Sequence, residues 1–235
     1  MKRFFNICIL MVCFSVVSEA QTKTSKELLN GVYKKIMAVK DYSVNANVKV
    51  DLPFVRMLPI DAKIYFKQKD KFKVETKSIA IVPRQGFDQI TKMLNDTASF
   101  EALISGEEMI GAVKTTLVNI IPSADTSDLI LGKIWIDTKQ NVVLKSQLTT
   151  KSNGTIWTEY KYATEIMYGL PSQMIFSVDV KKFKIPKSVA ADINNAKKEA
   201  SETDKEEEKN KKGRIFITLS NYQINKGISD EVFKK

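Results

Sequence analysis

Asp41-Tyr42-Ser43-Val44-Asn45-Ala46-Asn47-Val48-Lys49-Val50-Asp51 is the stretch that sets the fold. Val44, Ala46, Val48 and Val50 alternate with Ser43, Asn45, Asn47, Lys49 and Asp51. A period of two puts apolar side chains on one face of a strand and polar ones on the other. A strand of that kind belongs to an antiparallel sheet with one wet face. The alternation returns at Ala62, Ile64 and Phe66, at Phe72 and Val74, and at Val142, Leu144 and Leu148. It is found again at Ile156, Tyr160 and Tyr162, at Met174, Phe176, Val178 and Val180, and at Ile215, Ile217 and Leu219 before Tyr222. Strands therefore dominate the chain.

Upstream of the first strand the period changes. Thr24-Ser25-Lys26-Glu27 has the spacing of a capping box, and Leu28, Leu29, Val32, Ile36 and Val39 follow at steps of three and four, which predicts an amphipathic helix of about four turns. Residues 86–96, with Phe87, Ile90, Met93 and Leu94 on one side, predict a short second helix interrupting the strands. Residues 99–121 predict a hairpin around Gly111, followed by a polar loop at 122–128. Asn153-Gly154 is a two-residue hairpin signal, because both residues tolerate the positive φ of a type I′ turn. Asp137-Thr138-Lys139 and Gly169-Leu170-Pro171 read as further turns.

Residues 188–213 differ from the rest. Lysines and acids balance there, and pairs such as Lys198–Glu202 and Glu208–Lys212 support a solvated helix or a disordered insertion rather than a phosphate-binding tail. Strand alternation resumes after them, so they interrupt one domain, 21–235, and do not divide two.

Residues 1–20 read as an address. Lys2 and Arg3 lead an apolar run from Phe4 to Val17, and Ser18-Glu19-Ala20 supplies the small residues of a signal-peptidase site. The run is shorter than the roughly 20 residues that a membrane-spanning helix needs. Cys13 follows Leu10-Met11-Val12, a poor context for lipidation. Cys8 and Cys13 are the chain's two cysteines and leave with that segment, so neither thiolate chemistry nor a disulfide remains. Export without disulfides suits a bacterial periplasm, since residues 21–235 can bury a sufficient core unaided.

With 37 Lys and Arg against 27 Asp and Glu the chain carries +10, which favours anionic surfaces. No histidine is present, which removes the commonest general base and zinc ligand. Glycine-rich phosphate loops are absent, and no nucleotide cofactor or metal is expected. Composition leaves Ser-Lys or paired-carboxylate catalysis open, but the acidic pair Glu107-Glu108 should point to opposite faces of a strand. No catalytic residue is assigned. Tyr160, Tyr162 and Phe176 share parity with the apolar positions, so they line a core or cavity rather than a nucleic-acid platform.

What remains is the apolar face of a curved sheet, covered by two short helices. If they cover it incompletely, an apolar cleft is left. Such a cleft is valuable to a carrier, because a chain of about 16 carbons exposes on the order of 12 kcal/mol of unfavourable hydration in water. Val48, Ile64, Phe66, Phe72, Leu144, Tyr160, Met174 and Phe176 are the candidate lining. A filled core without a cavity is the competing reading.

Several segments resemble the LolA-like periplasmic carriers of bacterial lipoproteins, in the Bacteroidetes-type form known as outer membrane lipoprotein-sorting proteins. They are the opening helix with Asp41-Tyr42-Ser43, the run Ile64-Tyr65-Phe66-Lys67-Gln68-Lys69-Asp70-Lys71-Phe72-Lys73, the strand pair Ile134-Trp135-Ile136-Asp137 and Val142-Val143-Leu144-Lys145, and Tyr222 through Phe233. The resemblance implies an α+β fold, mainly antiparallel β. It would be an open half-barrel with an N-terminal helix and a short second helix over its concave face, and with no cofactor. It implies a monomeric binder of lipidated protein or lipid, with envelope membrane proteins as further partners and no nucleic acid. One departure stands out: better-known members carry an arginine in the turn after the second strand, tied to lid opening, where this chain has Gln68. The gating role is therefore not carried over. An envelope sensor that binds a protein partner on the same fold is the alternative, and an enzyme using carboxylates alone is a third.

Overall fold

The computed structural model describes residues 23–51, 58–69, 71–76, 90–91, 93–96, 98–152, 154–179 and 212–234. The expected signal segment, the start of the second helix with Phe87, and most of the charged insertion lie outside the described residues. Helix α1, Ser25–Met37, opens on the predicted box: Thr24 Oγ1 accepts from Glu27 N at 3.2 Å, and Thr24 N donates to Glu27 Oε2 at 2.8 Å. Leu28, Leu29 and Val32 are buried as the stripe requires, and Val39, just past the helix end, is buried as well.

Ten strands follow: β1 Asp41–Asp51, β2 Ile60–Lys67, β3 Lys71–Thr76, β4 Phe100–Ile110, β5 Val113–Pro122, β6 Leu129–Asp137, β7 Val142–Thr150, β8 Gly154–Lys161, β9 Gln173–Asp179 and β10 Lys212–Ile224. They form one antiparallel sheet in the order β3-β2-β1-β10-β9-β8-β7-β6-β5-β4, open between β3 and β4. Strand β10 begins at Lys212, paired with Asp179, so the last two residues of the expected 188–213 insertion belong to the sheet. Residues 90–91 and 93–95 are helical, with Ile90 and Leu94 buried.

The β7–β8 turn differs from the two-residue form. Thr150 pairs with Gly154, so three residues intervene, and Gly154 takes a φ of 70°. The turn after Asp137 is held by its own side chain, whose Oδ1 accepts from Lys139 N and Gln140 N.

The sheet's apolar face carries two clusters. One joins β1, β2, β9 and β10 through Val44, Ile64, Met174, Phe176, Ile215 and Ile217. The other joins α1, 90–94 and β4 to β7 through Leu29, Val118, Ile120, Ile134 and Ile136. Tyr160 touches both.

At the β3 edge a 3-10 turn, Asp230–Phe233, lies against the strand. Asp230 joins Lys67 at 2.6 Å and Lys71 at 2.7 Å, and such a cover blunts an edge that would otherwise invite pairing. Hydrogen bonds from Lys67 and Lys71 hold the Asp230 carboxyl down at about 2. Because the folded value lies below the ordinary 3.8, this contact should be complete above that value and lost as pH falls through about 2. Carboxyl-detected NMR should find the low midpoint, and Lys67→Ala with Lys71→Ala should return it to the ordinary range.

Candidate ligand-binding cavity

Between α1 and the sheet, where the two clusters meet, lies a cavity of about 100 Å³. Val32, Ile36 and Val39 form its roof. Tyr42, Phe66 and Phe72 form one wall, because Tyr42 pairs with Phe66 across β1–β2 and Phe66 with Phe72 across β2–β3. The rings of Tyr42 and Phe66 stack with centroids 5.1 Å apart. Tyr160 and Met174, opposite each other on β8 and β9, form the floor, and Tyr222 closes a corner against Tyr42.

Among the described residues no charged side chain lines this space. Two of its tyrosines turn their hydroxyls into the wall: Tyr162 donates to Val143 O and Tyr222 to Pro171 O, each at 2.8 Å. Burial pushes the Tyr160 hydroxyl up to about 12, against the opposing hydrogen bonds of Ser146 and Thr158, and burial raises Tyr162 and Tyr222 as well. The lining is therefore neutral at any physiological pH. It presents mainly rings and aliphatic groups, with Thr91 and Asn141 as further polar side chains.

Four of the eight sequence-predicted residues, Phe66, Phe72, Tyr160 and Met174, line the cavity. Val48, Ile64 and Phe176 do not: they lie deeper along the strands, at most 2% exposed, packed in the first cluster. Leu144 also misses it. The β6–β7 register steps from Ile136↔Val143 to Trp135↔Lys145, leaving Leu144 in the bulge while Val142 and Val143 take the wall. Sequence reasoning did not single out Tyr42 or Tyr222 as lining. Tyr42 shares parity with Val44, which was a usable signal, whereas Tyr222 arrives through the β1–β10 pairing.

Roof and sheet are joined by few polar contacts. Ser25 Oγ donates to Ala102 O at 2.7 Å, and Lys35 Nζ donates to Gln140 O at 2.6 Å. Gln68, in the β2–β3 turn, sends Nε2 to Met37 O at 2.7 Å and Val39 O at 3.3 Å. The neutral amide thus fastens the end of the roof helix without a charge. At Gly31 an added Cβ would stand 2.9 Å from Asn141 Oδ1, so glycine lets the helix come this close despite its cost in helix propensity.

The acidic pair does not converge. Glu107 bridges to Lys114 at 2.6 Å, and Glu108 accepts from Trp135 Nε1 at 2.7 Å. Among the described residues no three metal-ligating side chains gather, and no helix is long and apolar enough to cross a membrane.

No protein-family model matches this chain, and no curated protein matches it in sequence. Solved structures do. A DUF1329 family protein from Desulfovibrio piger superposes with a TM-score of 0.58 at 12% identity, over 91% of this chain and 98% of that one. A LolA superfamily protein from Nitrosomonas europaea gives 0.55 at 10% identity, over 91% and 98%. The fold is LolA-like. A domain from Vibrio parahaemolyticus named for outer membrane lipoprotein sorting gives 0.53 at 8% identity, over 87% of this chain and 95% of that one. At these identities the LolA-like likeness is one of architecture, and ligand and partner must be argued from the cavity.

Proposed function

We propose that residues 21–235 act as one LolA-like domain, a non-catalytic periplasmic carrier of lipoprotein acyl chains or similarly apolar ligands. The observation that carries this reading is an uncharged, ring-lined cavity roofed by a lightly fastened amphipathic helix. As it stands the space of about 100 Å³ is smaller than the roughly 150 Å³ that suffices for benzene, so an acyl chain enters by lifting the roof. Lifting is feasible because the helix touches the sheet through one apolar stripe and the contacts of Ser25, Lys35 and Gln68.

Native mass spectrometry after gentle purification tests the reading. A co-purifying lipid or acylated peptide, lost on delipidation and regained on incubation with a fatty acid, is expected. A clean ligand-free mass with no uptake would overturn it. Gln68→Ala removes two hydrogen bonds to the roof, each worth about 1 kcal/mol net. Amide exchange at the end of α1 should accelerate by at least about fivefold, with faster uptake of a fluorescent fatty acid. Unchanged exchange would mean that Gln68 does not hold the roof.

A further inference from the structure

The cavity sits at one end of the sheet, the end that carries the β2–β3 and β6–β7 turns, the 3-10 turn Thr164–Tyr168 and the segment after β10. Three hydrogen bonds draw these pieces together. Gln68 N donates to Lys40 O at 2.9 Å, Lys40 N donates to Asn225 Oδ1 at 2.7 Å, and Lys35 Nζ donates to Gln140 O at 2.6 Å. They gather Lys40, Lys69 and Lys226 on one side of the cavity rim and Lys34 and Lys139 on the other. All five are exposed, and among the described residues their ammonium groups have neither an ion pair nor a hydrogen bond.

The described acids of the same end are Asp41, Asp137, Glu165, Asp230 and Glu231. Asp41 accepts from Lys226 N and Gly227 N, and Asp137 accepts from Lys139 N and Gln140 N. One carboxylate, Asp230, is shared by Lys67 and Lys71, while Glu231 holds Lys234. Glu165 is half-buried. Hydrogen bonding does not cancel a carboxylate's charge, but the five exposed ammonium groups outnumber Asp41, Asp137 and Glu165, so the rim carries net positive charge around an apolar opening, and Met167, 68% exposed, projects beside it. A surface of anionic head groups over hydrocarbon is the complement of that arrangement.

We propose that this end of the protein docks on an anionic phospholipid bilayer, with the lysine rim on the head groups and the cavity facing the membrane. The proposal deepens the carrier reading and rests on it in one respect, that the docked face is the cavity's own end. Lipid then passes between bilayer and cavity without crossing open water.

Flotation of the exported, purified protein with vesicles of phosphatidylcholine containing phosphatidylglycerol, against phosphatidylcholine alone, tests it. Binding to the anionic vesicles alone, weakened by salt, is expected. Lys40→Gln/Lys69→Gln/Lys226→Gln should weaken it about a hundredfold, at about fivefold per lysine near an anionic surface. The same variant should take up a fluorescent fatty acid in solution as the native protein does, with an unchanged melting temperature. Equal binding to both vesicles, or native-like binding by the triple variant, would overturn the docking surface. Salt-sensitive vesicle binding without fatty-acid uptake would sink the carrier reading and leave the surface standing.

Discussion

Phe176→Ala is expected to lower the free energy of unfolding by about 3–5 kcal/mol, a large share of the roughly 5–15 kcal/mol that a domain possesses. Phe176 is 2% exposed and stands opposite Ile215 on β10 and Thr158 on β8, beside Val48, Ile64 and Met174. Truncation leaves a void where strands from both ends of the chain meet, and a sheet cannot collapse around it without losing register. Urea denaturation should show a lower midpoint at an unchanged slope. A loss below about 1 kcal/mol would mean that the β1–β10–β9 cluster is not the anchor of the fold.

Phe66→Asp should have its largest effect on binding. Phe66 is half-buried on the cavity wall, stacked on Tyr42 and opposite Phe72. A carboxylate there stays hydrated at the rim, and an acyl chain drawn past it must strip that water, which costs several kcal/mol. Fatty-acid uptake should fall by at least about a hundredfold, while circular dichroism remains native because the position reaches solvent. A folded variant with native affinity would show that the fatty acid sits elsewhere.

Much of the architecture was legible. Alternation from Val44 to Val50 announced a half-wet strand, Thr24 and Glu27 marked the helix start, and Gly111 marked the hairpin, because in each case the signal lies within a few residues. The cavity was legible only in part, for a geometric reason. Parity tells which face a residue occupies, but not how far along the strand it lies from the roof. Val48, Ile64 and Phe176 share a face with Met174 yet sit beyond the reach of α1. Leu144 failed differently, since an irregular register breaks the parity rule itself. Gln68 was in plain sight, but its partners belong to the end of a helix some thirty residues earlier, and no local pattern couples the two.

The seam between β1 and β10 pairs Asp51 with Arg214 and Tyr42 with Ile224, so the first strand waits for the last. A chain emerging amino-terminus first can form its β1–β3 meander early, but that meander lacks its neighbour until nearly every residue has appeared. Truncation before residue 212 removes the strand that joins β1 to β9, so β1–β3 and β4–β9 would be left as two separate pieces of sheet.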